Sequence, residues 1–131
     1  MEQRMNKEEL LNLMNNLKID SNEFWVLSSS ALVLRDLFPN AGDLDIAVTE
    51  EGLKQLKENY DLKQKENGWY IVNEKIECVL DQKEDWKIER VGKYNLESLE
   101  KYFDYLKTST REKDKVKYEI VKEKLKSKIK I

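Results

Sequence analysis

The chain has 131 residues, 40% of them hydrophobic and 38% charged, with a formal net charge of −2. That length builds one domain around a single core, and the near-neutral balance leaves no overall field to select nucleic acid or a membrane. One cysteine excludes an internal disulfide and suits a reducing compartment, while the absence of histidine excludes Ser-His-Asp and Cys-His catalysis and histidine-ligated zinc. The N-terminal MEQRMNKEEL lacks the apolar stretch of a signal peptide. No apolar run approaches a membrane span, so the expected location is cytoplasmic, with no membrane partner.

In chain order, residues 6–18 (NKEELLNLMNNLK) carry Leu10, Leu13, Met14 and Leu17 at helical spacing. EFWVL (23–27) reads as a short buried strand, and SSALVLRDLF (29–38) as a buried helix with serines capping its N-terminus. Pro39-Asn40-Ala41-Gly42 is a turn. DLDIAV (43–48) follows as a strand, and Thr49 is the N-cap of a helix through about Asn59. YDLKQKE (60–66) reads as a strand, and GWYIV (68–72), NEK (73–75) and IECVL (76–80) as a hairpin. DWKIERVGKY (85–94) fits either strand or loop. NLESLEKYFDYLK (95–107) and TREKDKVKYEIVKEKLK (110–126) read as helices parted at a Thr-Ser-Thr break. The order predicts an α+β fold: a mixed β-sheet with helices packed mainly on one face, in a single domain over residues 1–131, with C-terminal helices at about 95–126.

Strand alternation organises the acids. Leu44, Ile46 and Val48 share the face that helices cover, so Asp43, Asp45 and Ala47 share the other. Around Ile76 the same rule groups Ile76, Cys78 and Leu80 and turns Glu77 and Val79 the opposite way. If the two strands are neighbours, Asp43, Asp45 and Glu77 converge on one open face. Like charges roughly 6 Å apart repel by about 2–3 kcal/mol at an effective dielectric near 20. Protonation relieves that, and so does a divalent cation; oxygen ligands suit Mg²⁺ or Mn²⁺, which also take substrate phosphate oxygens. The serine turn offers backbone N–H groups and hydroxyls to such phosphates. Taken singly, each feature has a plainer reading: a turn entering a half-exposed strand, an N-cap, a solvated glutamate.

VLSSSALVLRDLFPNAGDLDIAV, with the later KIECVL, resembles the signature of the nucleotidyltransferase superfamily, the polymerase-beta-like fold. That signature is a small-residue pair opening a helix, a turn, an hDhDh strand and a third carboxylate on a neighbouring strand. Ser28 and Ser29 stand at the small pair, where glycine is usual. Asp43 and Asp45 stand at the metal-binding pair and Glu77 at the third carboxylate, with Asp81 as its backup. TSTREKDKVKYEI resembles the C-terminal helices of small bacterial relatives with an Arg-x-Lys-Asp element, here Arg111, Lys113 and Asp114. The resemblance covers about residues 24–120. It implies Mg²⁺ or Mn²⁺ held by Asp43, Asp45 and Glu77, with Glu77 acting also at the acceptor. It further implies an NTP such as ATP whose phosphates meet Ser28, Ser29 and Lys113, and transfer of its NMP to an acceptor: a small molecule, a protein side chain or an RNA end. The alternative is a non-catalytic or toxin–antitoxin-type interaction module with a degenerate nucleotidyltransferase fold, acting on a partner protein or as a homodimer.

Two features lie outside this reading. Trp25, Trp69, Tyr70 and Trp86 suit nucleobase stacking but suit core packing better. The tail KEKLKSKIKI (122–131) carries five lysines; a solvated helix end explains them, and contact with RNA is the alternative.

Overall fold

The computed structural model describes residues 4–81 and 87–129. Helix α1 (Lys7–Asn16) opens on a reciprocal cap between Asn6 and Glu9. A 3₁₀ turn (Ser21–Glu23) leads into β1 (Phe24–Val26), followed by α2 (Ser28–Leu34), β2 (Leu44–Val48) and α3 (Glu50–Asn59). Thr49 caps α3 as expected, its hydroxyl accepting from Gly52 N–H at 3.0 Å. Then come β3 (Lys63–Gln64), β4 (Tyr70–Ile71), β5 (Ile76–Leu80), β6 (Ile88–Val91), β7 (Tyr94–Glu97), α4 (Leu99–Thr108) and α5 (Glu112–Ile129).

The described strands form one sheet of order β3-β4-β5-β2-β1-β7-β6. Its two parallel pairs are β2 with β5 and β1 with β7, and the other pairs are antiparallel. The architecture is the expected mixed α+β. Leu10 and Met14 of α1, Ala31 and Val33 of α2, and Leu53 and Leu56 of α3 pack with Val26, Ile46, Val48, Ile76, Cys78 and Leu96 in one core. A smaller cluster joins Leu32 of α2 to Leu99, Tyr102 and Leu106 of α4 and Val121 of α5. The C-terminal helices therefore dock through α2.

The structure corrects three sequence expectations. Residues 95–97 belong to strand β7, and the helix starts at Leu99 behind its N-cap Ser98. The local pattern there suits a helix, but Leu96 is fully buried in the sheet core and pairs with Val26, so tertiary burial overrides it. Second, no serine side chain caps α2: the N-cap residue is Leu27, and the helix is counted from Ser28. Third, α2 ends at Leu34 rather than near Phe38. Asp36 takes a left-handed φ of 64°, Asp36 N–H bonds Val33 O and Leu37 N–H bonds Leu32 O, a helix stop that needs positive φ. The ambiguous segment resolves as β6 and a turn at Gly92, whose φ is 61°; its first two residues, with Trp86, lie outside the described residues. Among the described residues no helix is long and apolar enough to cross a membrane.

Cys78 sits in β5 with no exposed surface. Burial, and then the charge of Glu77, pushes its thiol up to about 11. Since only the thiolate reacts, labelling of the folded chain by an aromatic disulfide at pH 8 is expected to run about a hundredfold or more slower than labelling in denaturant. Rapid labelling of the native state would contradict the pairing of β2 with β5.

Candidate active site

The parallel pairing of β2 and β5 sets Asp45 directly beside Glu77. Their neighbours in the same strands, Ile46 and Cys78, face the core, so both carboxylates emerge on the opposite face, as alternation requires. Asp45 is half-buried. Burial first, then the charges of Asp43 and Glu77, raise its carboxyl to about 6; of the groups acting on it, only Lys65 works the other way. Lys65, in the turn between β3 and β4, donates to Glu77 Oε1 at 2.9 Å. Among the described residues, no three acidic or cysteine side chains gather closely enough to hold a metal ion by themselves. Asp43 and Asp45 remain a pair of hard oxygen donors whose repulsion Lys65 only partly offsets, a set that fits a divalent cation completed by substrate oxygens.

The serine turn between β1 and α2 sits directly against this pair. Leu27 N–H bonds the backbone carbonyl of Asp45 at 2.9 Å, and Ser30 Oγ donates to the carbonyl of Asp43 at 2.7 Å. Ser28 has a φ of 56°, a left-handed conformation that costs a non-glycine residue roughly 1–2 kcal/mol. Its amide donates to Glu97 Oε1 at 3.0 Å. Glu97 is buried, and its carboxyl lies above the usual range because of that burial, with the Ser28 amide, Lys101 and Arg35 opposing.

These groups line a cleft of about 400 Å³. Ser28, Ser29, Asp43 and Asp45 form one side, and Arg4, Arg111, Lys113 and Lys117 bring four cations to the same space. Lys113 and Lys117 lie four residues apart, on one face of α5. Lys117 Nζ donates to Ser29 Oγ at 2.7 Å. Asp114 is buried and anchors the group: Arg111 reaches it at 2.8 and 3.2 Å and Ser109 Oγ at 2.6 Å. Burial alone would raise the Asp114 carboxyl; those hydrogen bonds and the charges of Arg111 and Lys117 hold it below the usual range.

The structure thus brings together Ser28, Ser29, Asp43, Asp45 and Lys113, and sets Glu77 beside Asp45 outside the cleft lining. Sequence reasoning missed Lys117, Lys65, Glu97 and Arg4. The i, i+4 spacing from Lys113 was a usable signal for Lys117. Arg4 reaches the cleft because Met5 forms a β-bridge with Ala41, which no local pattern announces. Trp25 is fully buried and Trp69 and Tyr70 are half-buried.

Two outcomes follow for the metal-free protein. The folded chain holds the Asp45 proton more tightly than the unfolded chain does, so this group lowers stability as pH rises from about 4 through about 6. Asp45→Asn is expected to be more stable than wild type by roughly 1–2 kcal/mol at pH 7, after allowance for solvent screening. In urea titrations that advantage shrinks towards zero as pH falls to about 4; a pH-independent difference would contradict the assignment. Ser28→Gly is expected to be neutral or stabilising by up to about 1 kcal/mol, relief of left-handed strain being offset by chain entropy. Ser28→Val is expected to destabilise, since a β-branched residue is strained at positive φ. No protein-family model matches the chain, and comparison with curated proteins and with solved structures finds no match.

Proposed function

We propose that the chain is a metal-dependent nucleotidyltransferase that moves an NMP from an NTP to an acceptor, on a nucleotidyltransferase-like version of its α+β fold. The observation that carries this reading is the division of charge across one cleft: Asp43 and Asp45 against the serine turn, with Arg4, Arg111, Lys113 and Lys117 lining the same space. A polyanion with a bound divalent cation is complementary to both parts at once.

In this reading Asp43 and Asp45 hold Mg²⁺ or Mn²⁺, which when bound supplies charge neutralisation at the phosphates. The cations of α5 and the Ser28 and Ser29 hydroxyls orient the phosphate chain. The acceptor nucleophile forms a bond to the α-phosphorus, the bond from that phosphorus to the bridging oxygen breaks, and pyrophosphate leaves. Glu77, next to Asp45 on the sheet face and oriented by Lys65, receives the acceptor's proton. A second reading, the non-catalytic or toxin–antitoxin-type interaction module, is favoured by one observation. The Ser28 amide, which would approach a phosphate where the family has glycine, is already donated to Glu97.

The test combines thermal shift with each NTP and Mg²⁺ or Mn²⁺, and pyrophosphate release with a panel of acceptors that includes the protein itself. Stabilisation that needs both NTP and metal is expected. Asp43→Asn and Asp45→Asn are expected to cut transfer by about a hundredfold or more, on the scale of losing a principal electrostatic group. Glu77→Gln should spare NTP binding more than turnover. No metal-dependent NTP stabilisation at millimolar concentrations would overturn the enzyme reading in favour of the interaction module.

A further inference from the structure

Lys117 is an ammonium group in a place that disfavours one. Its side chain is nine-tenths buried, at 6% residue exposure, while still lining the cleft. Its Nζ lies 5.5 Å from the centroid of the Phe38 ring, a cation–π contact that offsets only part of the cost of burial. One hydrogen bond is made, to Ser29 Oγ. The carboxylate facing it, Asp114, has its Oδ1 3.9 Å away, beyond hydrogen-bond reach; Oδ1 accepts from Arg111, and Oδ2 from Arg111 and Ser109. An ammonium has three donors. Burial lowers the Lys117 pKa; Asp114 opposes that shift, while Lys113, Arg111 and Arg4 add to it. The charges that act on Nζ are therefore one carboxylate largely committed elsewhere and three further cations, with Asp43 and Asp45 lining the same cleft. A buried charge left so under-paired is unfavourable until an anion arrives.

Part of the serine turn is already committed to the protein. Ser28 N–H is held by Glu97, and Ser30 Oγ is held by the carbonyl of Asp43. Ser29 Oγ serves to fix Nζ at the cleft wall. An anion in the cleft has Nζ on its wall beside Ser29, with Lys113 exposed on the same face of α5 and Arg111 braced by Asp114. Several cations spread along one cavity suit a chain of phosphates better than a single small anion.

We propose that Lys117 is the anchor of a polyphosphate site that binds the phosphate chain itself, requiring neither nucleoside nor metal. Its part in turnover, holding the leaving pyrophosphate, rests on the nucleotidyltransferase reading; the binding does not. Ser29 is a positioning residue that acts through Lys117.

The experiment is calorimetric titration of the full chain with inorganic tripolyphosphate in EDTA at low ionic strength. Binding is expected, weakening steeply as NaCl is added. Lys117→Met keeps length and apolar contact with Phe38 and removes the charge; it should lower affinity by about tenfold or more, the scale of one charge-assisted hydrogen bond. Ser29→Ala keeps every charge and should lower it about threefold to tenfold; it decides the matter if Lys117→Met does not fold. Lys122→Met, on α5 outside the cleft lining, should change nothing. Equal binding by wild type and Lys117→Met, unchanged binding by Ser29→Ala, or no binding by wild type at millimolar tripolyphosphate would overturn the inference. Metal-dependent NTP binding without tripolyphosphate binding would overturn it while leaving the transferase reading in place. Tripolyphosphate binding that depends on Lys117, without any NTP effect, would uphold it and overturn the transferase.

Discussion

The parallel pairing of β2 with β5 is the constraint on which the rest of the structure depends. Leu44, Ile46 and Val48 on one strand and Ile76 and Cys78 on the other are almost wholly buried. Burying such side chains contributes about 1.5–3 kcal/mol each. A slip of one residue would turn every one of them to the open face. That register leaves Asp45 no choice but to stand beside Glu77. The repulsion between two such carboxylates, about 2–3 kcal/mol at moderate dielectric, is small beside the apolar gain. The core can therefore hold two acids together permanently, and the burial of Asp45 is a consequence of sheet register rather than of local sequence.

The opposing charge comes from the other end of the chain. α4 and α5 reach the sheet through α2, where Leu32 packs with Leu99, Tyr102, Leu106 and Val121. This small apolar contact places the buried side of α5 against the serine turn. Asp114 then acts as a brace, gathering Arg111, Ser109 and, at longer range, Lys117. Without that brace the cations would have no internal reason to stay near one another. The cleft is thus a junction of two separately stabilised units, each carrying one sign of charge in excess.

Much of this was legible in the sequence, because alternation is a strong local signal. The faces of DLDIAV and IECVL and the cap at Thr49 follow from residue periodicity and turn chemistry, while the grouping of Ser28 and Ser29 with Asp43 and Asp45 was what the family resemblance implied. What was not legible depended on contacts distant in sequence. β7 looks helical because Asn95, Leu96 and Glu97 run into the amphipathic pattern of α4; pairing with β1 and β6 makes them a strand. VGKY, in which Gly92 supplies the positive φ of a tight two-residue turn, was the available clue. Lys65 is brought to Glu77 by the antiparallel pairing of β3, β4 and β5, and Lys117 to Ser29 across 88 residues. Such pairings leave no trace in a window of a few residues.

The three serines tie the turn to three parts of the fold. Each contacts a different element: Ser28 reaches β7 through Glu97, Ser29 reaches α5 through Lys117, and Ser30 reaches the start of β2 through the Asp43 carbonyl. A glycine pair would relieve the left-handed strain at Ser28 but would remove the Ser29 hydroxyl that positions Lys117. In a turn built for close approach of phosphate to backbone, the main-chain amides do the binding. In this turn one amide and two hydroxyls are committed to protein, and Lys113 and Lys117 of α5 add cations to the cleft it walls. The serine turn fixes the walls, while the helix that arrives last in the chain supplies the charge that a ligand would meet.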